Sequence, residues 1–222
     1  MTDLRWTKHK KTTHYILATA CVAALGVVTT TSVRAAHGDE ITPPRVPQNL
    51  KVEDGNELFL AGHGVGTQNY ICTSSPTSPT GFAFSLFTPE ATLFDNTGDQ
   101  LITHFFSPND DPRLDPPERG AIRVTWEDSR DSSRVWAFLF QQSLDAEFVQ
   151  RGAVPWLLLK ESGVAAGPAG GDRLTKTTFI QRLNTVGGVA PEAGCSTFDD
   201  LGRKAFVPYS ADYFFYKKSP TR

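Results

Sequence analysis

Beyond residue 40 no apolar stripe of helical period persists for three turns. Instead, short runs alternate apolar and polar residues and are bounded by Gly, Pro, Asn or Asp. The clearest covers residues 121–126, where Ile122, Val124 and Trp126 share a face. Near the C-terminus Val207, Tyr209, Ala211, Tyr213 and Phe215 alternate with Phe206, Ser210, Asp212 and Phe214. Aromatic residues on both faces place that run centrally in a sheet or against a second layer. Further strands are predicted at 57–61, 68–72, 81–87, 91–94, 101–106, 134–141, 156–160 and 177–183. In the run 134–141 both faces are apolar, which suits a strand buried between layers. The DNTGD stretch at 95–99 reads as a tight turn with Gly98 at positive φ, joining 91–94 and 101–106 as a hairpin. Gly62, His63, Gly64, Val65 and Gly66 read as a bent or close-packed turn. Residues 143–151 fit a short helix and equally a strand at 147–150. The pattern predicts an all-β fold, an antiparallel β-sandwich or a closed β-barrel of about nine or ten short strands. Periodicity alone does not choose between them.

The N-terminal residues change the compartment. Arg5, Lys8, Lys10 and Lys11 precede an apolar stretch at 15–28, and Val33 and Ala35 occupy small-residue cleavage positions. The apolar stretch falls short of the roughly 20 residues a membrane span needs. The expectation is a signal peptide over 1–35, an N-terminal arm over 36–54 and a single β domain over 55–218, in a secreted or periplasmic protein. The whole chain has 22 basic and 24 acidic residues, a net charge of −2. Removing 1–35 takes away five basic residues and one acidic one, so the remainder carries −6. Such a balance disfavours nucleic acid, whose binding depends on Lys and Arg. Removal also leaves Cys72 and Cys195 as the remaining cysteines. In an oxidising compartment they are expected to form a disulfide tying the first third of the domain to its last strand.

Familiar catalytic signatures are missing: no H-E-x-x-H, no G-x-S-x-G, no P-loop, and no G-x-G-x-x-G opening a helix. His104 shares a strand face with Ile102 and Phe106. It reads as a structural hydrogen-bonding residue, or as a base working with Asp95 or Glu127. Asp110, Asp111, Asp115 and Glu118 read as a solvated acidic loop within the irregular stretch 107–120, with calcium binding the alternative although the twelve-residue calcium-loop pattern is absent. Two other long irregular stretches lie at 162–172 and 184–197, and loops of this kind on a rigid frame are where function resides. Arg182 is expected to pair with a buried carboxylate, Asp212 on the final strand, pinning the turn that begins at Asn184. No cofactor and no metal are called for.

Several stretches carry a family resemblance: GTQNYIC at 66–72, PEATLFD at 89–95 followed by Gly98 and His104, and VPWLLLK at 154–160. The most specific is FIQRLNTVGGVAP at 179–191, followed by Gly194, Cys195 and the ending VPYSADYFFY at 207–216. Across nearly all of 45–217 the chain resembles the secreted fungal and bacterial proteins grouped as domain of unknown function 3455. That resemblance implies no established activity. The malate dehydrogenase label some members carry finds no βαβ nucleotide signature here. Where the family pattern has Gly-Pro-x-Trp-Glu soon after the histidine, Trp126 and Glu127 arrive here only after an expanded 107–120 segment. The leading reading is a binding or structural domain whose partner is a glycan, a lipid or another apolar small ligand. The alternative is a small extracytoplasmic hydrolase using His104 with Asp95 or Glu127. Oligomeric state is left open.

Overall fold

Alternation along eight strands, each paired antiparallel with the next, closes the chain into a barrel among the described residues. The computed structural model describes residues 41–220. The signal-peptide reading of 1–35 and the first residues of the arm lie outside them. In chain order the strands are β1 Asn56–Ser74, β2 Phe82–Phe94, β3 Gln100–Pro108, β4 Ile122–Asp128, β5 Arg134–Ser143, β6 Trp156–Ala165, β7 Thr177–Gly187 and β8 Lys204–Lys218. β8 pairs along nearly the whole of β1, from Asn56 opposite Lys218 to Ile71 opposite Lys204, and so closes the cylinder. Closure removes the sheet edges that a sandwich would leave.

The strand count is lower than the pattern predicts because two pairs of short runs are continuous. Gly62 to Gly66 do not turn; they run straight through β1, paired with β8 throughout and with β2 from His63 onward. Glycine is needed there for space. A Cβ on Gly66 would sit 2.0 Å from the Glu90 carbonyl oxygen, and one on Gly64 would lie 2.8 Å from the Tyr213 ring. The runs at 81–87 and 91–94 likewise merge into β2 through Pro89, which pairs with Gln68 of β1. Pairing of β2 with β3 begins only at Ala91, so the missing proline N–H interrupts no ladder on that side.

The hairpin at 95–99 forms as expected: Gly98 has φ 88°, and Ala91, Thr92 and Leu93 pair with His104, Thr103 and Ile102. Residues 144–151 are neither helix nor strand. They turn on Asp145, whose carbonyl accepts the N–H groups of Phe148 and Val149. The acidic loop also differs from expectation. Asp111 is fully buried, accepts the Arg113 side chain and takes the Val164 N–H at 2.8 Å. Beside it, Asn109 occupies the space left by the missing side chain of Gly163.

Two apolar layers follow from two-sided strands. Inside the barrel, Leu93, Ile102, Trp126, Val135, Leu159, Ile180, Tyr213 and Phe215 form one cluster, joined by Leu174 from the β6–β7 connection. Outside it, Trp156, Leu158, Phe179, Leu183 and Phe214 form a second cluster with Leu50, Val149 and Ala153. The arm therefore acts as the second layer that the two-faced last strand calls for. Leu50 is completely buried, and its carbonyl accepts a 2.7 Å hydrogen bond from Gln181 Nε2. Cys72 and Cys195 are bonded across 123 residues with Cα atoms 5.4 Å apart, tying β1 to the β7–β8 connection.

Candidate functional site: a lumenal cavity

An eight-stranded barrel is just wide enough to be filled by side chains or to hold one small ligand. In this chain each outcome applies to one half. Toward the Leu174 end the large residues of the inner cluster fill the lumen. That end is closed by the β6–β7 connection, where the Leu174 N–H bonds Ser133 and Arg173 bonds Asp128 at 3.0 Å. Toward the other end lies a cavity of about 280 Å³ to which seven strands contribute. Its wall is mostly apolar, with Pro89, Phe106, Val124, Leu157 and Leu159 inside, and half-exposed Leu86 and Leu139 at the mouth. Gln68, His104, Trp126 and Arg182 are the polar groups set deep in it.

Local sequence explains each placement. His104 and Trp126 face one another across β3 and β4, and their rings stack at 4.5 Å between centroids. His104 Nδ1 lies 2.9 Å from the Thr125 carbonyl oxygen, which can only accept, so Nδ1 carries the proton and Nε2 the lone pair. Burial, joined by the nearby Arg182 charge and opposed by the Thr125 hydrogen bond, pushes the imidazole pKa down to about 3. Arg182 pairs with Tyr213 across β7 and β8 and so points inward with it. Its Nη2 donates to the Pro155 carbonyl at 3.0 Å. Tyr209 and Tyr213 share a 3.0 Å hydroxyl contact beneath it, and burial raises both phenols. They are therefore neutral hydroxyls that do not balance the guanidinium.

The lining residues Tyr70 and Val154 are braced by the stretch at 184–191. Thr185 Oγ1 donates to the Val154 carbonyl at 2.6 Å, and the Val154 N–H donates back to Gly187. The Tyr70 hydroxyl donates to the Gly188 carbonyl at 2.6 Å. Gly188 has φ 83°, and a Cβ there would crowd Tyr209, Gln68 and Val154. Backbone conformation and lack of space both demand glycine at that position.

The proposed catalytic set is not brought together. Glu127 pairs with Thr103, one residue out of step with His104, so it faces outward, where it binds Arg134. Asp95 sits beyond the end of β2, and its carboxylate accepts the N–H groups of Thr97 and Asp99. His104 is left in the inner wall without a carboxylate. Arg182 and Asp212 do not pair either. Asp212 lies opposite Leu183 on the outer face, where it meets His63 Nδ1 at 2.8 Å and accepts Asn184 Nδ2 at 2.7 Å. Among the described residues no group of three or more His, Cys, Asp or Glu is arranged to hold a metal ion.

Gln68, Tyr70, Tyr209 and Tyr213 also belong to the lumenal site, beyond the residues the sequence singles out. The signal was present in part, since Gln68 and Tyr70 alternate along one strand and Tyr209 and Tyr213 along another. What the sequence lacks is the pairing that sets those faces toward each other.

A family profile described as protein of unknown function (DUF3455) matches residues 53–217. No curated protein matches the chain. No solved structure matches it either.

Proposed function

The chain belongs to the DUF3455 family, whose members are typically secreted or periplasmic, and from that premise we propose that it is an extracytoplasmic carrier or sensor of a small apolar molecule held in the barrel lumen. The observation that carries this reading is the half-open lumen, a cavity of about 280 Å³ with a mostly apolar wall and a few deep polar groups. That combination is how small-molecule sites are usually built. Size narrows the occupant. A dry cavity of about 150 Å³ holds benzene, so this one suits a compact molecule of roughly twice that bulk rather than a long acyl chain or an oligosaccharide.

Calorimetric titration of the folded, oxidised protein tests the reading. Hydrocinnamyl alcohol, dodecanol and cellopentaose are the probes. Saturable binding of the compact alcohol is expected, with loss of that binding in a Val124→Phe variant whose added ring enters the cavity. Absence of binding by all three probes, or unchanged binding in the folded variant, would overturn it.

A further inference from the structure

Three N–H donors in the lumenal wall make no hydrogen bond of good geometry: Arg182 Nε, Trp126 Nε1 and Gln68 Nε2, although the guanidinium meets the Tyr213 hydroxyl and the Gln68 side chain the Tyr209 hydroxyl. All three residues line the same cavity and are at least nine-tenths buried, with 8 %, 0 % and 2 % of their surface exposed. Arg182 is the most demanding of them. Among the described residues no carboxylate lies within ion-pair distance of it, while Asp212, one position away along β8, faces the opposite side of the sheet. Its charge is felt by Tyr70, His104, Tyr209 and Tyr213, all of which are neutral.

A buried guanidinium without an anion is costly to keep, because no counter-charge repays its desolvation. Buried donors without acceptors are likewise rare in folded proteins and call for an explanation. The three orphans share one requirement, an acceptor entering from the cavity. Alcohols and sugars bring donors along with their acceptors and no charge. A carboxylate brings two acceptor oxygens, no donor, and the single negative charge that one arginine balances. Phosphate monoesters carry more charge than a lone arginine offsets.

We propose, resting on the lumenal reading above, that the ligand is a small apolar carboxylate. Its anionic head meets Arg182, with Trp126 and Gln68 donating beside it, and its hydrocarbon body lies against Phe106, Val124 and Leu157. The protein thereby reads one negative charge at the base of an apolar slot. This separates it from a site that merely collects hydrophobic molecules.

The test compares hydrocinnamate, hydrocinnamyl alcohol and hydrocinnamyl amine by calorimetry on the wild-type protein. The carboxylate should bind about tenfold or more tightly than the alcohol, and the amine should be rejected. In Arg182→Met the preference for carboxylate over alcohol should vanish while the alcohol still binds. Arg182→Lys, which keeps the charge but loses the planar fork, should retain a reduced preference. Equal binding of carboxylate and alcohol by the wild type would overturn the anion assignment and leave lumenal binding standing. Binding by neither would overturn both. The wild-type comparison decides the matter even if Arg182→Met fails to fold.

Discussion

Arg182 and Asp212 stand on opposite faces of the β7–β8 ladder, because Arg182 pairs with Tyr213 and Leu183 with Asp212. A single step of register thus leaves the guanidinium inside the barrel and the carboxylate outside, held by His63 and Asn184. Removing the arginine therefore does not orphan a buried acid. In the ligand-free protein, Arg182→Met should leave the melting temperature unchanged or raise it. An apolar replacement of a buried charge adds up to a few kcal/mol, and about 1 kcal/mol corresponds to 2–4 °C in a domain of this size. Differential scanning calorimetry checks this. A fall of more than about 4 °C would show that the guanidinium stabilises the fold.

His104 makes stability depend on acid. Its folded pKa of about 3 lies below the ordinary histidine value of 6.5. Below about pH 6.5 the unfolded chain therefore binds a proton that the folded chain refuses. Stability attributable to this group is full above that pH and declines by about 1.4 kcal/mol per unit from there toward pH 3. Denaturant unfolding at a series of pH values should show the slope, and His104→Gln should flatten it by about one proton. An unchanged slope in the variant would place the acid sensitivity elsewhere.

Asp111 adds a second, more acidic component. Its hydrogen bonds to Arg113 hold its pKa down to about 2, against an ordinary value of 3.8. The stability it contributes is present above about pH 4 and lost between there and pH 2, on the order of 2 kcal/mol. Asp111→Asn should lower the melting temperature at pH 7 and converge with the wild type near pH 2. Two curves that stay parallel throughout would contradict this assignment.

Gly66 is fixed by the closeness of β2. A methyl group there would meet the Glu90 carbonyl oxygen at 2.0 Å and the Ala91 Cα at 2.5 Å, both backbone atoms that cannot turn aside. Gly66→Ala should cost at least about 1–3 kcal/mol, as overpacking does. Thermal unfolding should then show a fall of about 4 °C or more. A neutral result would mean that β1 and β2 are farther apart than described.

Reducing the Cys72–Cys195 bridge frees a loop spanning 123 residues. A Cys72→Ser, Cys195→Ser double variant should lose about 2–5 kcal/mol in urea unfolding. Loss of less than about 1 kcal/mol would mean the connection at 188–203 is held without it.

Much of the frame was legible because strand alternation is a local property. The hairpin at 95–99, the two-faced run of β8 and the cysteine pair all appear from neighbouring residues or compartment alone. Gly62 to Gly66 look like a turn in sequence because glycine marks both turns and crowded strands, and the crowding comes from Tyr213 and Ala91, distant in sequence. Arg182 shows the same limit more sharply. Ile180 and Arg182 alternate visibly with Phe179, Gln181 and Leu183, but both faces of β7 are apolar. Only the pairing with β8, and the arm laid over the outer side, decide which face is lumen. The site was illegible for the same reason: His104 is one position from Glu127 in register, and that position is the thickness of the sheet.

A crystal structure of the oxidised protein soaked with hydrocinnamate tests the central claim most directly. The account predicts an eight-stranded barrel with the carboxylate of the ligand within hydrogen-bond distance of Arg182 and its ring among Phe106, Val124 and Leu157. A lumen filled by side chains, or a protein carboxylate seated against Arg182, would contradict it.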